Sequence, residues 1–264
     1  MILQSKGVES HIERRGQGEQ MLLLHGWGPR SVSLDKHLQP LAARLQHRYD
    51  ITMADFPGHG QSGRPGADWG VREYAEWTLG LMDQLGLECP VIVAHSFGGR
   101  VALWLAAHHP QRVKALVLTG CAGLRPKKTL RGRLRGLLFR LGRVGLKAMG
   151  LFPALKARQA GMLAGLRGQF SSADYLATPE ELRGSFSRVV REDLRPLLKQ
   201  IDQPALLVWG EKDEGTPLWM GEAMAAEMKD ARLLVYRADD HFAYFNQLSR
   251  FANAVEIFLE EERA

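Results

Sequence analysis

Val91-Ile92-Val93-Ala94-His95-Ser96-Phe97-Gly98-Gly99-Arg100-Val101-Ala102-Leu103-Trp104 is the stretch whose reading decides the fold. Its first part is an apolar run of the length of a buried strand, and its last part is apolar over a helical length. Between them one Ser stands among small residues, which predicts a sharp strand-to-helix turn with Ser96 at its apex. Such a turn lifts a hydroxyl off the carboxyl end of a strand. It also aims the N-terminus of the next helix at negative charge developing nearby. A Ser oxygen there can act as a nucleophile. The competing reading of Ser96 is a plain helix N-cap, a common place for Ser.

Outward from this turn, strands and helices alternate. Met21-Leu22-Leu23-Leu24-His25 reads as a strand that ends in the loop Gly26-Trp27-Gly28-Pro29, and Leu34, Leu38, Leu41, Ala42 and Leu45 then recur at helical spacing. The strand Ile51-Thr52-Met53-Ala54 runs into Asp55-Phe56-Pro57-Gly58-His59-Gly60-Gln61-Ser62-Gly63, and Tyr74, Trp77, Leu81, Met82 and Leu85 mark another helix. Val8 to Arg14 reads as a weakly patterned edge strand, and Ala115 to Thr119 as a strand after the Ser96 helix. Pro204 to Trp209 and Arg232 to Tyr236 are further strands, separated by a helix near Leu218 to Met228. A final helix carries Phe245, Leu248, Ala252, Val255, Phe258 and Leu259 on one face. This rhythm predicts an α/β fold: a mostly parallel twisted sheet with helices on both faces. Alternation breaks between Gly123 and Lys199, where the chain reads as helical and basic. The expected division is a core of residues 1–122 and 200–264 with a helical cap at 123–199.

A Ser nucleophile needs a base, and a His base works best when a carboxylate fixes its tautomer. Trp209-Gly210-Glu211-Lys212-Asp213 places acids just beyond one strand, and Ala238-Asp239-Asp240-His241 places a His just beyond the last. Loops at the carboxyl ends of parallel strands share one edge of the sheet. Glu211 and Glu214 rival Asp213 as the acid, and Asp213 could instead cap the helix near Pro217. Asp240 beside His241 either raises the base's pKa or faces water.

Ala94-His95-Ser96-Phe97-Gly98 resembles the nucleophile elbow of the α/β-hydrolase family, with Ala94 where the usual Gly-x-Ser-x-Gly has its first Gly. The resemblance extends along the core. Gly210, Asp213, Thr216 and Pro217 line up with the family's acid loop, which implies Asp213 as the acid and His241 as the base. His25-Gly26-Trp27-Gly28 resembles the family's His-Gly loop, implying that the Trp27 and Phe97 backbone amides form the oxyanion hole. Asp55 to Gly60 resembles a further family loop that braces the site from outside. In the family an insertion such as 123–199 is the lid that shapes substrate choice.

With 264 residues, 45% of them hydrophobic, the chain can bury one large core. Met1 to Gly7 lacks the pattern of a signal peptide, and no apolar run is long enough to span a bilayer, so a soluble cytoplasmic protein is expected. Cys89 and Cys121 read as small buried hydrophobes. The net charge of +6 is concentrated: Ala122 to Ala173 contains no acidic residue but many Arg and Lys. Within it Leu130, Leu134, Leu137, Leu138 and Leu141 share a helical face opposite Arg131, Arg133, Arg135, Arg140 and Arg143. The expectation is a cap that covers the site with its leucines and leaves its arginines in water. The second reading is an approach for anionic substrates, or a weak contact with an anionic membrane. No aromatic residues interleave with the charges as base stacking requires, so nucleic acid is not expected.

Gly58-x-Gly60-x-x-Gly63 matches a dinucleotide-binding pattern, but Arg64-Pro65-Gly66 follows where a helix should open. No cofactor and no metal are expected, and His59 and His95 read as scaffold. The expected function is a serine hydrolase acting through an acyl-enzyme on a small ester, lactone or thioester. The alternatives are a carbon-carbon bond hydrolase, a perhydrolase or an aminopeptidase with the same triad, or a non-catalytic module that binds anionic surfaces. The pattern carries no signal of oligomeric state.

Overall fold

Alternate residues of the central strands face opposite apolar layers. Leu22 and Leu24, Ile92 and Ala94, Leu116 and Leu118, and Leu207 and Trp209 join one buried cluster, while Met21 and Leu23, Val91 and Val93, Ala115 and Val117, and Leu206 and Val208 join another. A strand buried on both sides needs helices on both, as parallel sheets have. The computed structural model describes residues 1–28, 32–125, 141 and 173–263. It divides into two units: Met1–Arg125 with Glu180–Ala264, and Pro126–Pro179.

In the first unit the strands are β1 (Ile2–Ser5), β2 (Val8–Arg15), β3 (Glu19–Leu24), β4 (Tyr49–Ala54), β5 (Val91–His95), β6 (Ala115–Thr119), β7 (Ala205–Gly210) and β8 (Ala231–Tyr236). They form one sheet in the order β1-β2-β4-β3-β5-β6-β7-β8. β1 and β2 pair antiparallel, as do β2 and β4, and every other pairing is parallel. Helices α1 (Leu34–His37) and α2 (Gln39–Leu45) cover one face, and α3 (Val71–Gln84) and α4 (Phe97–His108) cover the other. From β3 the chain steps one way to β4 and then crosses back over β3 to β5. Such a reversal opens a crevice beyond the carboxyl ends of β3 and β5, where ligands of doubly wound sheets bind. Ser96 and the loop 25–28 flank it.

The register brings the other strand ends to the same rim. Leu24 pairs with Ala94, His95 with Thr119, Thr119 with Val208, and Gly210 with Tyr236.

Three local expectations are corrected. The helix expected over Leu34 to Leu45 is broken at Leu38, where Pro40 starts a new helix that its missing N–H suits. The final helix is likewise split into Ala243–Asn246 and Leu248–Glu261, and Phe245 lies 41% exposed, off the buried face assigned to it. Cys89 is exposed, in the turn before β5, while Cys121 is buried.

In the second unit Ala173–Ala177 is a helix. Of the expected basic helix, Leu141 is helical and 59% exposed, and the remainder lies outside the described residues. No helix of the described residues is long and apolar enough to cross a membrane.

Candidate active site

Ser96 stands between β5 and α4 with φ 51° and ψ −107°, a left-handed conformation that costs a non-glycine residue about 1–3 kcal/mol. Its backbone is held there. Ser96 N–H donates to Thr119 O, and Ser96 O accepts from Gly99 N and Ala122 N, each at 3.1 Å. Ser96 occupies the N-cap position of α4, but its side chain makes no capping bond there. Ala94 replaces a glycine at little cost, because the positive φ falls on Ser96 and Ala94 is an ordinary strand residue.

The glycines after Ser96 serve close approach. A Cβ on Gly98 would lie 2.5 Å from Leu24 O, and one on Gly99 would lie 2.3 Å from Cys121 Sγ. Gly98 N–H donates to His25 O at 3.1 Å, so α4 begins directly against the loop that follows β3. That loop carries Trp27, and Phe97 is the first residue of α4, where helix amides lack intrahelical acceptors. The Trp27 ring packs edge-on against Phe97 at 5.1 Å and also meets His59 and Phe186.

Asp213 and His241 meet. The buried Asp213 carboxylate accepts from His241 Nδ1 through Oδ2 at 2.8 Å, and the imidazole stays 22% exposed. The bond puts the ring proton on Nδ1 and leaves the Nε2 lone pair to act as a base. Thr216 fixes the carboxylate, its N–H donating to Oδ1 at 2.7 Å while its hydroxyl lies 2.8 Å from Oδ2, 2.9 Å from Gly120 O and 3.2 Å from His241 Nδ1. Asp213 does not cap the next helix, which starts at Trp219.

Glu211 and Glu214 are exposed, and Glu211 accepts from Ala238 N at 3.1 Å. Asp240 is exposed too. Its carboxylate accepts from Phe242 N and Asn246 Nδ2, so it serves the turn after His241.

The Asp55 loop braces the rim from behind. Its buried carboxylate accepts from Leu34 N, Gln61 N and His11 Nδ1. His25 Nε2 accepts from Phe56 N at 3.0 Å, and its Nδ1 donates to Gly26 O at 2.7 Å. Burial holds the His25 imidazole below its ordinary pKa, and the His59 imidazole well below, in keeping with neutral rings. The glycines of the dinucleotide-like pattern close a turn instead, Gly58 N bonding Gly63 O, and no helix opens before Val71.

Two contacts escaped sequence reasoning. Thr216 entered only as part of an aligned motif, although a Thr three residues after an Asp is a recognisable local bonding pattern. His95, read as scaffold, reaches the main chain of His241, and no sequence signal marks that contact. The hydrogen bonds that reach His241 from the described residues come from Asp213, Thr216 and His95.

A strained Ser at the end of one strand of a doubly wound sheet, with a His held by a buried carboxylate beyond the last strand, is the layout of a class of hydrolytic enzymes. The chain belongs to the alpha/beta hydrolase fold family, whose model matches residues 20–248. It is 30% identical over 251 residues to a pimeloyl-[acyl-carrier protein] methyl ester esterase of Neisseria meningitidis, covering 92% of this chain and 93% of that one. It is 26% identical over 283 residues to a 2-hydroxy-6-oxo-6-phenylhexa-2,4-dienoate hydrolase of Burkholderia cepacia, covering 98% and 95%. In fold it is similar to a meta-cleavage product hydrolase from Pseudomonas fluorescens IP01, with a TM-score of 0.74 at 22% identity over 99% of this chain and 98% of that one. The protein is thus an enzyme of this fold, related to both ester and carbon-carbon bond hydrolases, and the non-catalytic module is set aside.

Proposed function

We infer that Ser96 attacks a substrate carbonyl, with His241 as the base and Asp213 as its orienting acid. The bond from His241 Nδ1 to the buried Asp213 carboxylate carries this reading. As the Ser96 Oγ–C bond forms, the hydroxyl proton passes to His241 Nε2 and the carbonyl electron pair moves onto oxygen. The Phe97 and Trp27 amides hold that oxyanion, and one such donor is worth about 3–4 kcal/mol. Collapse restores the carbonyl and expels the leaving group, which takes the proton back from His241. Water then attacks the acyl-Ser96 by the same route and frees the serine.

The relatives favour the leaving group held above as the alternative, a carbon. The bond cut would lie beside a ketone, and the conjugated remainder of the substrate would take up the electron pair. Kinship with a hydrolase of a dienoate supports this. The basic stretch between Ala122 and Ala173 also suits a substrate bearing a carboxylate. Ester cleavage is the second reading, supported by the methyl ester esterase. In either case Trp27, Phe97 and Phe186 suit an apolar acyl group.

The test compares wild type with Ser96→Ala. A fluorophosphonate should label the wild type and not the variant, and equal labelling of both would reject Ser96 as nucleophile. Turnover of a 6-oxo-dienoate against graded p-nitrophenyl esters then decides between the leaving groups.

A further inference from the structure

His95 precedes the proposed nucleophile and is buried, 3% exposed, with its imidazole between the Gly26 loop and the segment His241 to Tyr244. Its Nε2 lies 3.0 Å from the main-chain O of His241, so Nε2–H donates to the peptide of the proposed base. Its ring stands 4.7 Å from the His241 ring, 5.2 Å from Phe242 and 4.8 Å from Tyr244. On the other side Nδ1, buried and without a hydrogen-bond partner among the described residues, lies 2.8 Å from where a Cβ on Gly26 would stand. Gly26 has no positive φ, so close approach to this imidazole is what calls for a glycine there.

We propose that His95 is a positioning residue that locks the His241 loop and the Gly26-Trp27 loop to the elbow, setting where Nε2 of the base and the oxyanion amides stand relative to Ser96. The inference rests on the catalytic reading above and adds a residue to it. Two features favour it over plain core packing. A residue that only filled space would not need a polar ring whose second nitrogen goes unsatisfied, an arrangement that costs about 1–3 kcal/mol. Among the described residues, the one hydrogen bond the ring makes ends on the residue whose placement matters most. Burial and the neighbouring His241 keep the ring neutral, so one nitrogen carries the proton and the other does not.

The experiment compares wild type, His95→Leu and His95→Gln. The Leu variant removes the donor and keeps much of the bulk, while the Gln amide can place an N–H near the position of Nε2. Steady-state kinetics on the best substrate and the fluorophosphonate labelling rate are normalised to the folded fraction from thermal melts. For His95→Leu we expect kcat and the labelling rate to fall about 30-fold with KM within about twofold, since misplacement by about 1 Å costs on the order of 100-fold. His95→Gln should recover most of that loss. If His95→Leu melts early but its folded fraction keeps wild-type kcat, the role is structural and the proposal is overturned. Should His95→Leu fail to fold, a His95→Gln variant that folds but reacts no faster than about a thirtieth of wild type overturns it as well, because the restored donor is expected to rescue. Wild type that resists labelling altogether removes the catalytic reading and this inference together, whereas a labelled wild type beside an equally fast Leu variant removes only this one.

Discussion

At Asp213 one carboxylate does two jobs with two oxygens. Oδ1 closes a turn on the Thr216 amide, and Oδ2 accepts the hydrogen bond from His241 Nδ1. Asp213→Asn can preserve the first contact, but it turns an NH2 toward Nδ1 and drives the ring proton to Nε2, which silences the base. Turnover should drop by about 10³-fold or more while the urea midpoint stays near that of wild type. Glu211→Gln, which touches only the Ala238 amide, should keep kcat within about threefold, since surface changes away from such contacts are small. If the Glu211 variant is the one that loses turnover in the same assay, the acid is misassigned. Position past the strand end left Glu211, Asp213 and Glu214 as equal candidates in the sequence, and it was the resemblance of Gly210, Asp213, Thr216 and Pro217 to the family's acid loop that pointed to Asp213. The partners of Thr216 were not legible in sequence, because its hydroxyl meets groups from the ends of β6 and β8, a tertiary coincidence that no local pattern encodes.

Among the elements, the turn from β5 to α4 stands on backbone proximity. A methyl on Gly98 would press on Leu24 O and His25 O, which as main chain have nowhere to yield. Gly98→Ala should lower the unfolding free energy by about 2–3 kcal/mol, typical of strain from overpacking, and depress kcat as well by moving the oxyanion loop. Urea titration and steady-state assays check both, and a neutral Gly98→Ala would mean that the elbow and the β3 loop are not in contact. Helices and strands were legible where periodicity was strong. Ala115 to Thr119 is a strand as read, since a short apolar run flanked by polar residues leaves few alternatives. β1 went unread because Ile2 and Leu3 form an outer edge with no buried alternation to show. The breaks at Leu38 and Gln247 were missed because apolar spacing continued across them, while Pro40 starts a new helix in one case and Gln247, at φ −117° and ψ 49°, leaves helical geometry in the other.

For the molecule as a whole, three imidazoles, those of His25, His59 and His95, are wholly enclosed and shifted downward from the ordinary value of 6.5. A His whose folded pKa is depressed binds fewer protons folded than unfolded. Its contribution to stability is therefore complete above the unfolded value and lost as pH falls below it. Each of the three then costs about 1.4 kcal/mol per pH unit. Urea midpoints should be flat from pH 7.5 to 8.5 and fall steeply below about pH 6.5, a slope of up to three protons, and a midpoint unchanged at about pH 5.5 would contradict neutral burial. The placement of the reactive groups has a consequence for the newborn protein. Synthesis delivers Ser96 and the Trp27 loop early, but Asp213 and His241 emerge only after the long basic insertion, on the loops that follow the last two strands added to the sheet. On the roles proposed for these residues, a growing chain on the ribosome carries its hydroxyl without the means to activate it, and stays inert until its closing strand has docked.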